Sequence, residues 1–264
     1  MNSVYTLYSG SSGNSVYFNL CGHEFLIDAG KSARTLCNAL KSIGTDISNI
    51  EAIFITHEHT DHIGALEVLT KKHHVPVHVC GRSSARLRTL GEGGLFGCLV
   101  EHSPICEVAM GEVKVKSFVT PHDSMGSVGY RIEYEAIDDD GKSECCAIGL
   151  ATDIGHVDES VRAGLFGCRD VILESNHDID MLMCGPYPEV LKMRIMSRRG
   201  HLSNVDCAAF AAELCVEGTQ NILLAHLSEV NNEPSLALTE TVMAVGNDNI
   251  HIAVADRDIP SRLF

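Results

Sequence analysis

Between Thr56 and His62 the chain reads Thr-His-Glu-His-Thr-Asp-His. Histidine and aspartate are poor core residues unless paired, so three imidazoles and an aspartate within six residues are costly to keep for packing alone. Two metal ions would account for them. His57 and His59 would hold one ion, and Asp61 and His62 would turn toward the other. A solvated histidine-rich loop is the bland alternative. Neutral imidazole and carboxylate suit Zn²⁺, Mn²⁺ or Fe, whereas Ca²⁺ takes oxygen ligands.

Further donors each follow directly on a short apolar run. The runs at 24–27, 51–56, 113–120, 146–152, 171–173 and 221–225 lead to Asp28, His57, His122, Asp153, Glu174 with His177, and His226. Taken singly, an aspartate after a strand is usually a turn residue, and a histidine there is usually surface or core. Taken together they complete a two-metal set. His57, His59 and His122 would form one site, Asp61, His62 and His226 the other, and Asp153 would bridge them. Ions about 3.5–4 Å apart can share a hydroxide and clamp the attacking and leaving oxygens of a displacement.

The elements that must position these donors are legible as patterns. Four of the six runs are rich in Val, Ile or Phe, as buried strands are. Helices are expected at 62–73, 188–199, 205–217 and 234–245. The second opens with proline and closes at Gly200, and the third has Asn204 as N-cap and Gly218 beyond its end. Asn231 or Asn232 caps the fourth, and Asp138-Asp139-Asp140-Gly141-Lys142 makes a hairpin turn. Strands dominate early and mix with helices later. That order predicts helices outside two stacked sheets, in a single domain over 1–264.

Composition narrows the class. The chain has 264 residues, 45% of them hydrophobic, enough for one large core. No apolar run approaches the roughly 20 residues of a membrane span, and the start lacks a secretory pattern, so a cytoplasmic protein is expected. The 11 cysteines include no C-x-x-C, which argues against a zinc ribbon and fits buried thiols in a reducing compartment. The net charge of −15 repels nucleic acid at long range, so a nucleic-acid substrate needs bound dications and a local basic patch. Lys192, Arg194, Arg198 and Arg199 offer one, with Arg194 and Arg198 on one helix face. A solvated helix face is the plain alternative.

The order His57-x-His59-x-Asp61-His62, His122, Asp153, His226 resembles the metal motifs of the metallo-β-lactamase superfamily. The resemblance spans about the whole chain. It implies an α+β fold, a four-layer αββα sandwich of metallo-β-lactamase type with the site along one edge of the sheets. It also implies that Asp28 supports the metal ligands from behind. Five further strings are similar to the WalJ/YycJ group: Ser9-Gly-Ser-Ser-Gly-Asn-Ser15, Leu173-Glu-Ser-Asn-His-Asp178, Gly185-Pro-Tyr-Pro188, Gly200-His-Leu-Ser-Asn204 and Ala225-His-Leu-Ser-Glu-Val-Asn-Asn232. That likeness implies 5′→3′ exonuclease action on DNA rather than RNA, with mismatch repair as its setting. Ser127 stands where this group is expected to have proline. A likeness to tRNA 3′-processing nucleases of the superfamily pairs Glu174 with His201.

Phosphodiester hydrolysis needs a hydroxide, neutralised phosphate charge and a proton for the leaving oxygen. Two dications, Zn or Mn with Fe as an alternative, supply the first two, with Asp61 among their ligands. His201 supplies the third as general acid, its pKa raised and its ring oriented by Glu174. Ser11 and Asn14 in the Gly/Ser-rich loop, His177, Ser203 and Asn204 at a helix start, and Arg194 and Arg198 are candidate substrate contacts. A hairpin turn and plain N-capping are the structural alternatives for the loop and the helix start. Other readings are a superfamily hydrolase of small phosphodiesters, thioesters or lactams, and a non-enzymatic signalling scaffold. By family likeness, a lactamase of the best-known type carries cysteine where Asp153 stands. A glyoxalase-type thioesterase adds a helical domain after the last metal histidine, and 38 residues follow His226.

Overall fold

The computed structural model describes residues 2–137 and 143–264 and divides into two compact units. The turn expected at 138–142 lies outside the described residues. No helix among those residues is long and apolar enough to cross a membrane.

The first unit comprises residues 1–117, 124–128 and 256–264. Its strands are β1 (Ser3–Tyr8), β2 (Ser15–Leu20), β3 (His23–Ile27), β4 (Ala52–Ile55), β5 (Val77–Cys80) and β6 (Leu99–His102). The hairpin of β7 (Glu107–Met110) and β8 (Val113–Val119) follows them, the last two residues of β8 belonging to the second unit. Its helices are α1 (Ala33–Ser42), α2 (Thr60–Ile63), α3 (Leu66–His73) and α4 (Ser84–Leu87).

The second unit comprises residues 118–123 and 129–255. It contains β9 (Val128–Ile137) from its second residue on, β10 (Ser143–Ala151), β11 (Asp170–Glu174), β12 (Asn221–Ala225) and β13 (His251–Val254). Its helices are α5 (Glu159–Leu165), α6 (Ile179–Cys184), α7 (Glu189–Ile195), α8 (Asn204–Val216) and α9 (Pro234–Val245). The terminal strand β14 (Ser261–Arg262) returns to β1 of the first unit.

Both units use the same plan, in which parallel strands end together. In the first, the sheet order is β14-β1-β2-β3-β4-β5-β6, parallel from β3 onward. In the second, β10, β11, β12 and β13 run parallel, with β9 antiparallel at the side of β10. Ile53 and Ile55 of β4, and every residue of β11, are buried to 0% exposure. That is why these segments read as unbroken apolar runs rather than alternating ones. Register then sets the site. Leu173 pairs with Ala151 and with Leu224, so Asp153, Glu174 and His226 emerge together at the carboxyl ends of adjacent strands. Ligand groups collect at such ends in open parallel sheets.

Several helix boundaries differ from those expected. The segment 62–73 divides into α2 and α3 on either side of Gly64, where a Cβ would lie 2.6 Å from the Lys31 carbonyl oxygen. α7 stops at Ile195, so Arg198 is off the helix and the expected shared face with Arg194 does not exist. α8 begins one residue early, with Ser203 rather than Asn204 as N-cap, its side chain accepting from the Asp206 N–H. α9 runs as expected but has no side-chain cap, and Glu233 occupies the cap position. The amphipathic α1 and the short α5 and α6 were not expected. Of the 11 cysteines, all free, only Cys80, Cys146, Cys168 and Cys207 are buried.

Candidate metal and proton-transfer site

In the first unit the histidine cluster follows β4 directly. Its anchor is Asp28, just beyond β3, buried and left-handed at φ 62°. Aspartate tolerates that conformation better than most residues. One Asp28 carboxylate oxygen accepts the Thr56 N–H at 2.9 Å. The other accepts the Thr56 hydroxyl at 2.8 Å and His62 Nδ1 at 2.7 Å. With its Nδ1 proton given to Asp28, His62 presents Nε2 as a lone pair, and the Asn14 amide points at that nitrogen from 3.1 Å. Asp61 Oδ2 lies 3.4 Å from the same nitrogen.

The rings of His57 and His62 are 4.1 Å apart, and those of His57 and His59 4.5 Å apart. The backbone holds this cluster from the Gly/Ser loop, because the Asn14 N–H donates to the Asp61 carbonyl at 2.8 Å. Glycine is required at position 30, where a Cβ would stand 1.9 Å from the Asp61 oxygen. Glu58, between two histidines, ties the cluster to its flanks by accepting the Met125 N–H at 2.7 Å and the Ser83 hydroxyl at 2.5 Å.

In the second unit Glu174 takes the anchoring part. It is fully buried at the end of β11. Its Oε1 accepts both His201 Nδ1 at 2.8 Å and His226 Nδ1 at 2.9 Å. Its Oε2 accepts the Ile154 N–H at 2.7 Å and the Leu202 N–H at 3.2 Å. Burial alone would push this carboxyl up. The His201 charge and the hydrogen bonds from both rings outweigh burial and hold it at about 2. Burial likewise opposes charge on His201, but Glu174 and then Asp153 prevail and raise its pKa. His122 is the opposite case, with burial dominating and its pKa lowered despite Asp153.

His122 donates through Nδ1 to the Gly200 carbonyl at 3.1 Å. His62, His122 and His226 therefore share one arrangement, with Nδ1 spent on an oxygen acceptor and Nε2 presented. That is the tautomer a metal-ligating imidazole adopts. Asp153 Oδ1 lies 3.6 Å from His226 Nε2 and 3.8 Å from His122 Nε2. Donors on one ion with bonds of about 2.0–2.2 Å stand about 3–3.6 Å apart, so these groups need only small closure. One donor atom each from Asp153, Glu174, His201 and His226 falls within 4.8 Å of the others. Asp153 and His226 are left-handed, at φ 56° and 58°. Strained backbone of this kind collects at functional positions. The donor set and its tautomers fit divalent transition metals.

The candidate substrate contacts divide by what already occupies them. Ser11 is exposed. Asn14 is engaged with Gly10 and the histidine cluster. Ser203 spends its hydroxyl on Asp206. Asn204 is 1% exposed and locked in a reciprocal amide pair with Asn232 while accepting from Ser175, so it builds structure. His177 is buried beside Ser203, and its Nδ1 has no hydrogen-bond partner. Burial brings its pKa to about 4.

The basic run is largely engaged as well. Buried Lys192 donates to the Met183 carbonyl at 2.6 Å, and Arg194 pairs with Asp123 at 2.5 Å. Arg198 contacts His156 at 2.6 Å, and Arg199 grips the His122 carbonyl through two nitrogens at 2.8 and 3.0 Å. Arg194 and Arg199 pin the segment carrying His122. Arg194 and Arg198 remain exposed enough to meet a polyanion.

Three contributors escaped sequence reasoning. Thr56 was passed over beside more conspicuous neighbours, although its position directly before His57 was a cue. The Gly200 carbonyl is a backbone group with no side-chain signature, and Glu58 acts through a carboxylate whose partners, Ser83 and the Met125 N–H, are remote in sequence.

Comparisons with known proteins bear on the family and the fold. Residues 8–142 match the model of the Metallo-beta-lactamase superfamily. The chain is 32% identical over 235 residues to exodeoxyribonuclease YycJ of Bacillus anthracis, covering 88% of this chain and 84% of that protein. It is 31% identical over 252 residues to exodeoxyribonuclease WalJ of Streptococcus pneumoniae, covering 94% and 90%. The crystal structure of the metallo-β-lactamase-fold protein YhfI of Bacillus subtilis superposes with a TM-score of 0.70 at 14% identity, over 99% of this chain and 100% of that one.

Proposed function

The chain belongs to the metallo-β-lactamase superfamily, its fold is α+β of that type, and it is a metal-dependent hydrolase; from this premise we propose that it is a dinuclear 5′→3′ exonuclease acting on DNA. The relatives named exodeoxyribonuclease support DNA as substrate, and similarity across 84% and 90% of their lengths supports a shared activity. Cleavage polarity and a role in mismatch repair are proposed on the resemblance to the WalJ/YycJ group alone. Eleven free cysteines support a reducing cytoplasm as its location.

In this reading His57, His59 and His122 would hold one ion, Asp61, His62 and His226 would hold the other, and Asp153 would contribute to both. Bound dications, Zn²⁺ or Mn²⁺, supply a hydroxide nucleophile at neutral pH and offset phosphate charge. The protein's own groups do the rest. Asp28, Glu174 and the Gly200 carbonyl fix three imidazole rings so that Nε2 faces the ions. His201 is held through Nδ1 by Glu174, which leaves Nε2 to protonate the departing 3′ oxygen. Arg194 and Arg198 meet neighbouring phosphates, as His177 and the backbone around Ser11 do nearer the reacting bond.

The observation that carries this reading is the single Glu174 oxygen shared by His201 and His226. It places an imidazole that would face a metal beside one poised for proton transfer, and phosphodiester cleavage calls on both functions. A substrate panel tests it, with 5′-phosphorylated single-stranded DNA, duplex DNA, RNA, cyclic nucleotides and a lactam under added Mn²⁺ or Zn²⁺. Stepwise loss of nucleotides from the 5′ end of DNA is expected. Lactam turnover without nucleic-acid cleavage would refute the reading.

A further inference from the structure

α8 and α9 carry exposed apolar residues that line a common groove. α9 reads Pro-Ser-Leu-Ala-Leu-Thr-Glu-Thr-Val-Met-Ala-Val, yet only Ala237 and Thr241 are buried. Val205 is 48% exposed, Leu236 43% and Met243 77%. These residues line a groove of about 590 Å³ with Ala208 and two carboxylates, Asp178 and Glu240. Burial raises the pKa of Glu240, and Asp178 adds to the rise. Asp178 already caps α6 by accepting the Met181 N–H at 2.8 Å, and among the described residues neither carboxylate has a cationic partner, so an incoming cation would offset both charges.

The local charge is mainly acidic, with Arg162 of α5 paired to Glu213 of α8. From His201 to Asp256 there is no lysine or arginine, against eight carboxylates. A polyanion is repelled from such a face, and a second copy of the chain would bring the same acids to it. We propose that this groove docks a basic amphipathic helix of a partner protein, whose apolar residues cover Leu236 and Met243 and whose lysine or arginine meets Asp178 and Glu240. Helix-in-groove recognition reads apolar anchors at helical spacing, and complementary charge sets its register. This assignment stands apart from the nuclease reading, because none of the metal-facing groups takes part.

The probe is a labelled Leu/Lys amphipathic peptide of about five helical turns, followed by fluorescence anisotropy. Binding is expected, weakened about tenfold by Glu240→Gln and by Met243→Ser, and unchanged by Glu217→Gln away from the groove. A Leu/Glu counterpart should not bind, and Glu240→Gln should hydrolyse phosphodiesters at the wild-type rate. No binding of the Leu/Lys peptide, or equal binding to wild type, Glu240→Gln and Met243→Ser, would overturn the proposal. So would a dimer in sedimentation that Met243→Ser dissociates, since that would assign the face to a second copy.

Discussion

Asp28 in the first unit and Glu174 in the second perform the same physical task on different scales. Each is a buried carboxylate that accepts an imidazole Nδ1 proton and so aims Nε2 outward. Asp28 serves one ring and spends its remaining capacity on Thr56. Glu174 serves two rings with one oxygen and two backbone N–H groups with the other. In the proposed reading one anchor holds a metal ligand, whereas the other couples a metal ligand to a proton donor. The second unit should therefore be where metal binding and proton transfer fail together, and the first where metal binding alone suffers.

The sharpest way to break this contrast is Glu174→Gln. It should lower kcat by about 10²–10⁴-fold and also weaken metal affinity, because both rings lose their acceptor. His201→Ala should lower kcat by about 10²–10⁴-fold while metal content stays at the wild-type level. A wild-type rate in that variant, measured on a 5′-phosphorylated oligonucleotide, would remove His201 as general acid. Asp28→Asn should cost about 10–100-fold in metal affinity, and added metal should restore most of the rate. A kcat loss in Asp28→Asn that excess metal cannot rescue would erase the difference between the two anchors.

The smallest expected effect comes from an imidazole pair with no carboxylate. His78 Nδ1 lies 2.9 Å from His102 Nε2. Burial, with His102 adding to it, lowers the His78 pKa from 6.5 to about 4. The unfolded chain then binds more protons than the folded one between those values. Stability from this pair is present above about pH 6.5 and lost as the pH falls toward 4. The urea midpoint should drop between pH 7 and pH 5, and His78→Leu should flatten that slope. An unchanged slope would show that this pair carries no proton linkage.

Much of the candidate site was legible before any coordinates. His57, His59, Asp61 and His62 sit in one string, and Asp28, Asp153, Glu174 and His226 announce themselves as polar residues closing apolar runs. Strands buried on both faces produce such runs, so their ends are visible. The helix ends were harder. Ser203 and Asn204 are both good caps, and only the buried pairing of Asn204 with Asn232 decides between them. The basic run misled about its geometry, because α7 stops at Ile195 and the arginines beyond it turn back onto loops. Backbone acceptors such as the Gly200 carbonyl leave no trace in residue type.

Metal stoichiometry of the purified chain, by elemental analysis after reconstitution with Zn²⁺ or Mn²⁺, tests the central claim most directly. Two ions per chain are expected in the wild type, with at least one lost in His226→Ala. Wild-type protein that retains no stoichiometric transition metal would contradict the account.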